Sequence, residues 1–163
     1  MGALTQVVIS PRDSETPIVI NEILASNTAA AEDPQGDHED YIELKNTGAR
    51  ALDVSGFYLS DNPNRPKKWK LPKGTMIPAQ GYLVIWADED GSANGTARSG
   101  LHANFKLASG GEVLMLVDRD DQNNRVLETV SFGKVAKNMS WGRSPDGIGD
   151  FQIMQPSTGA ANE

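Results

Sequence analysis

Residues 82–87 read YLVIWA and residues 112–118 read EVLMLVD. Both runs are short and apolar almost throughout. Such a run is what a strand covered on both faces requires, and helices need longer stretches. Gly110-Gly111 before the second run allows a hairpin with positive φ. A loop rich in Gly, Ser and Asn, residues 88–100, follows the first run.

Working outward, the same grammar repeats. In residues 41–46, YIELKN, Ile42 and Leu44 point one way and Tyr41, Glu43 and Lys45 the other. That alternation is the mark of a half-buried strand. Asn46-Thr47-Gly48 supplies its turn. Further runs lie at 18–24 (IVINEIL), 52–59, 68–71, 75–77, 126–132, 140–143 and 151–154, with Phe105 and Leu107 opening another ordered piece. Residues 6–10 (QVVIS) make a weaker first strand. Long helical periodicity is missing. The count is about nine short strands with turn signals roughly every 8–12 residues, the pattern of an all-β, immunoglobulin-like β-sandwich or a Greek-key barrel.

The chain has 163 residues, which fits one domain. Residues 1–17 read as an N-terminal extension, 18–156 as the sandwich, and 157–163 as a small, polar, frayed tail. There is no cysteine, which excludes disulfides and thiolate metal sites. The formal net charge of -7 disfavours generic nucleic-acid binding, because an acidic surface repels phosphate. No apolar run approaches the roughly 20 residues that span a bilayer. The opening residues carry no basic region ahead of an apolar one, so they do not read as a signal peptide.

Taken in order, several stretches resemble the lamin-tail domain family, whose members occur in nuclear lamins and in many bacterial proteins. They are INEILASN (20–27), DYIELKNTG (40–48), LDVSGFYLSD (52–61), KWKLPKGTMIPAQGYLVIWAD (68–88), LHANFKLASGGEVLMLVD (101–118) and SWGRSPDG (140–147). The closing STGAAN also resembles the family's ending. The resemblance implies an immunoglobulin-like sandwich and a non-catalytic interaction or architectural role. It further implies a place in a larger extracellular or cell-envelope protein with a protein partner. No heptad stretch accompanies it, so no filament rod is indicated. In SWGRSPDG, Pro145-Asp146-Gly147 is a turn and Arg143 is placed to pair with a carboxylate.

Only His38 and His102 offer a base near neutral pH, and neither stands in a G-x-S-x-G or other nucleophile motif. A hydrolase is therefore the weakest alternative. Hard cations such as Ca²⁺ want several oxygens from a loop. Three loops supply them: Asp33, Asp37, Glu39 and Asp40; then Asp88, Asp90 and Asn94; then Asp118, Asp120 and Asp121. The second is the preferred Ca²⁺ candidate, set against the plainer reading of a solvated acidic turn. Five of the 15 basic residues, Arg65, Lys67, Lys68, Lys70 and Lys73, cluster around Trp69 as a candidate interaction patch. Trp69, Trp86, Trp141, Tyr58 and Tyr82 are candidates for a sugar-stacking platform, the basis of a carbohydrate-binding alternative. The competing expectation is burial, above all for Trp86.

Overall fold

The apolar runs become strands because they are rich in β-branched and aromatic residues and end at turn formers. The computed structural model describes residues 15–90 and 100–163. In chain order the strands are β1 (Ile18–Leu24), β2 (Tyr41–Asn46), β3 (Leu52–Asp53), β4 (Tyr58–Ser60), β5 (Trp69–Lys70) and β6 (Met76–Ile77). Then follow β7 (Tyr82–Trp86), β8 (Leu101–His102), β9 (Gly111–Val117), β10 (Val126–Gly133), β11 (Ser140–Ser144) and β12 (Asp150–Met154). One turn of 3-10 helix, Asp120–Gln122, separates β9 from β10. The strand expected at residues 6–10 lies outside the described residues.

A six-stranded sheet has the order β12-β11-β1-β2-β7-β8, and a four-stranded sheet the order β10-β9-β4-β5. The ribbon β3-β6 stands apart from both. Among the described residues only β7 and β8 pair in parallel. The two large sheets face each other across one core. Ile20, Ile23, Ile42, Leu44 and Ile85 come from the wider sheet, and Leu59, Leu114, Leu116, Val130 and Phe132 from the narrower. Each fully buried side chain of this size contributes about 1.5–3 kcal/mol relative to exposure. The fold is an all-β, immunoglobulin-like sandwich.

The strand count exceeds the expected nine because several pairings last only two residues. The run 52–59 is broken between β3 and β4, where Gly56 adopts φ +81°. Phe105 and Leu107 are buried in the core without forming a strand. Gly111 takes φ +103° at the start of β9, and a Cβ there would stand 2.3 Å from the Phe132 carbonyl oxygen. That close approach admits only glycine.

Two expectations are corrected. β2 is not half-buried: all six of its residues are buried. Residues 157–163 do not fray either. They cross the outer face of the six-stranded sheet and are hydrogen-bonded to it, and Asn162 is buried. The two corrections have one cause, since the tail covers the face that alternation assigned to water.

Candidate functional site

The sheets differ in width, and the difference leaves a groove. Among the described residues, on one side of the core the narrow sheet ends at β10, while the wide sheet continues through β11 to β12. The inner face of the overhang carries Trp141, paired in register with Ile153, and Arg143, paired with Phe151. Trp141 and Phe151 stack with ring centroids 6.0 Å apart and planes 9° from parallel. The Arg143 guanidinium lies 4.4 Å from the Phe151 ring centroid. Residues 128–133 of β10 form the other wall, and the groove encloses about 540 Å³. Ile153 is 56% exposed. The Trp141 Nε1–H is buried and meets no acceptor among the described residues.

An ion pair closes one end of the groove and joins the sheets. Arg143 on β11 pairs with Glu128 on β10. Arg143 Nε donates to the Ile20 carbonyl at 3.0 Å, and the Ile20 N–H donates to Glu128 Oε2 at 2.6 Å. The register between β1 and β11 is confined to Glu22↔Gly142 and Ile23↔Trp141. On the edge of β1 away from β2, the Arg143 and Glu128 side chains meet the Ile20 backbone. The carboxylate expected for Arg143 is thus Glu128.

On the opposite face of the wide sheet, Glu22 and Glu43 stand side by side in register. Both are fully buried. Burial pushes the Glu43 carboxyl up to about 8, although hydrogen bonds from Asn21 and Gly159 oppose the shift. Next to them, Asp146 of the Pro145-Asp146-Gly147 turn pairs with Lys45 at 3.1 Å and accepts from the Tyr82 hydroxyl at 2.5 Å. Burial alone would raise Asp146. Hydrogen bonds from the Asn162 N–H, Tyr82, Asn21 and Lys45 hold it below the usual carboxylate range. Sequence reading missed this network. Its one signal was an acidic residue in the middle of each apolar run, in INEIL and YIEL.

A sequence model of the Lamin Tail Domain family matches residues 11–134. The chain belongs to the lamin tail domain family. No curated protein and no solved structure matches it. Beyond the matched residues of this lamin tail domain, the Ser157 N–H and hydroxyl and the Gly159 N–H donate to the buried carboxylates of β1 and β2.

The acidic loops meet differently from their order in the chain. Asp33, Asp88 and His102 bring one ligand atom each to within 4.8 Å of one another. His102 Nδ1 lies 2.6 Å from Asp88 Oδ2, and Asp88 Oδ1 accepts from the Asp90 N–H at 3.0 Å. Asp33 Oδ1 accepts from the N–H groups of Gln35 and Asp37. The group therefore ties the 26–40 loop to the segment after β7 and to β8. Asn94, the third member of the preferred Ca²⁺ candidate, lies outside the described residues. Ca²⁺ takes about 6–8 oxygens, whereas this cluster offers two carboxylates and an imidazole. In the third acidic loop, Asp118 pairs with Arg125 at 3.0 Å. His38 sits exposed and bonds the Ala31 carbonyl through Nδ1 at 2.9 Å.

The basic cluster is largely answered by acids. Lys67 pairs with Asp120 at 2.8 Å, and Lys70 approaches the same carboxylate at 3.9 Å. The bond from Lys67, helped by Asn124 and Tyr58, holds Asp120 far below the usual range. Lys68 pairs with Asp61 at 2.6 Å. Arg65 and Lys73 are exposed. Trp69 and Trp86 are core residues, Tyr58 is buried with its hydroxyl on Asp120, and Tyr82 is engaged by Lys45 and Asp146. Of the candidate platform, Trp141 alone lines the groove.

Proposed function

We propose that this lamin tail domain is a non-catalytic protein-interaction or architectural module of a larger extracellular or cell-envelope protein. It engages a partner polypeptide by taking an extended segment along β10. One observation carries this: among the described residues β10 pairs with β9 on one side, and across the groove its other side faces the inner side of β11 and β12. An edge strand presents unpaired N–H and C=O groups, and an extended peptide can complete that ladder. Side chains of the added strand would cover Trp141 and Phe151, which supplies the apolar part of the affinity. The family's immunoglobulin-like, non-enzymatic character supports the absence of catalysis. The family resemblance alone supports the extracellular setting.

The test is selection from a displayed library of linear peptides, followed by mapping with backbone amide NMR. The expected result is enrichment of alternating β-branched sequences whose binding shifts β10, β11, β12 and the Trp141 indole signal. Binding that maps elsewhere, or no enrichment, overturns the proposal. A shift of the Trp141 indole by soluble oligosaccharides, with no peptide bound, replaces it with the carbohydrate reading.

A further inference from the structure

We propose that residues 157–162 are a releasable clasp on the wide sheet, held closed by the proton on Glu43 and let go when that carboxyl ionises, while the sandwich stays folded.

The cradle comes first. Glu22 on β1 and Glu43 on β2 stand opposite one another in the ladder, both fully buried. Two carboxyls so placed do not both ionise readily, because each anion is poorly hydrated and repels the other. The surrounding charges give no relief. On β2 itself, Tyr41 is buried, and Lys45 is engaged by Asp146 at 3.1 Å, by the Tyr82 hydroxyl of β7 at 3.1 Å and by the Gln80 carbonyl at 3.0 Å. Asp146, from the turn after β11, adds negative charge beside Glu43. Arg143 on β11 directs its guanidinium to Glu128. Residues 157–162 carry no charged side chain. Glu43 therefore keeps its proton up to about pH 8.

The clasp is fastened to this cradle by polar bonds. Ser157 N–H donates to Glu22 Oε1 at 2.9 Å, and Gly159 N–H to Glu43 Oε2 at 2.7 Å. The Thr158 hydroxyl donates to the Tyr41 hydroxyl at 3.0 Å, and Asn162 N–H to Asp146 Oδ1 at 2.9 Å. All four acceptors are titratable groups. Asn162 Nδ2 adds bonds to the Asn21 and Arg143 carbonyls at 3.1 and 2.9 Å. Apolar burial contributes little. Thr158, Gly159, Ala160 and Ala161 are exposed, and Asn162 alone of the six residues is buried. A short segment with so little apolar contact opens without the core.

Opening and ionisation are thereby linked. With the clasp closed, Glu43 ionises at about 8; hydrated on opening, it returns toward its ordinary 4.5. The closed state holds the proton more tightly, so low pH favours closure. As pH rises between these values, opening grows by up to about tenfold per unit, and above about 8 it levels off. Release bares Glu22, Glu43 and Asp146 as an acidic strip on the face away from the groove.

The experiment follows hydrogen exchange of the Ser157, Gly159 and Asn162 amides in the full chain from about pH 5 to about pH 9. Base-catalysed exchange is first order in hydroxide, so an opening indifferent to pH gives a slope of about one in log rate against pH, and the linkage adds up to about one more below about pH 8. The native chain is expected to show the steeper slope. Its clasp amides should exchange roughly a hundredfold or more faster than those of Leu114 and Leu116 in β9, as local opening requires. In Glu43→Gln the slope falls back to about one. Should that variant fail to fold, Glu22→Gln takes its place: with the facing charge gone, its slope lies below the native one. A slope of about one in the native chain, or an equal slope in the folded variant, overturns the proposal. So do clasp amides that exchange no faster than those of β9, because release is then part of global unfolding.

Discussion

Glu22 and Glu43 are cross-strand neighbours with no exposed surface, and the C-terminal tail donates a hydrogen bond to each. Ser157 N–H donates to Glu22 Oε1 at 2.9 Å, and Gly159 N–H donates to Glu43 Oε2 at 2.7 Å. Two like charges facing each other across a ladder destabilise a sheet. Burying them without partners costs several kcal/mol each. The tail is therefore part of the sandwich.

Removal of residues 157–163 should open both carboxyl groups to solvent and take away the tail's donors. The expected loss is on the order of 1–3 kcal/mol, from hydrogen bonds to two carboxyl groups that the sheet still partly buries. Urea unfolding of the shortened and full chains measures it. Equal midpoints would show that the tail contributes nothing to the sheet.

The same site makes stability depend on pH. Glu43 ionises at about 8 in the fold, against an ordinary value of 4.5. Between these values the fold keeps the proton and the unfolded chain has lost it. The stabilisation is complete below about 4.5 and disappears as pH rises through about 8. The span corresponds to at most about 5 kcal/mol. A series of melting curves from pH 5 to 9, on the order of one unit apart, should show Tm falling with pH in the native chain and a flatter profile in Glu43→Gln. Parallel profiles for the two proteins would remove Glu43 as the source.

Arg143 and Glu128 form the ionic link between the sheets, with Glu128 only 3% exposed. Arg143→Met leaves a buried carboxylate without its cation, and the expected cost is about 3–5 kcal/mol. Adding Glu128→Gln to that variant should return part of the loss, since no uncompensated charge then remains. Denaturant midpoints of the two single variants and the double variant supply the coupling. Strict additivity would mean that the pair does not act as a unit.

His102 is fully buried against Asp88. His102→Ala should cost about 1–3 kcal/mol by removing a bond to a buried carboxylate. Millimolar Ca²⁺ and excess chelator are expected to give the same Tm, because two carboxylates and an imidazole fall short of the about 6–8 oxygens that Ca²⁺ takes. A rise in Tm with Ca²⁺, lost in Asp88→Asn, would instead make this loop an ion site.

Local pattern made much of the architecture legible. Alternation in YIELKN, the continuous apolar runs at 82–87 and 112–118, and the glycine before β9 each encode a nearest-neighbour requirement. The Arg143 pairing was legible as a charge without a named partner. Two-residue pairings such as β3, β5, β6 and β8 were less so, because a ladder that short leaves little periodicity to read. The site residues were harder still. Asp88 was singled out, but its neighbours Asp33 and His102 lie 55 residues before it and 14 after, and no spacing rule joins such loops.

By itself the sequence determined that the chain is an all-β sandwich of the lamin-tail kind, because strand periodicity and turn chemistry are local properties of neighbouring residues. Tertiary structure decided which faces stay dry. It laid the polar tail over Glu22 and Glu43, answered the lysines around Trp69 with Asp120 and Asp61, and let one sheet overhang the other at β10. Those outcomes depend on which distant segments meet and how many strands each sheet receives, and burial is set by that meeting rather than by any residue's own preference.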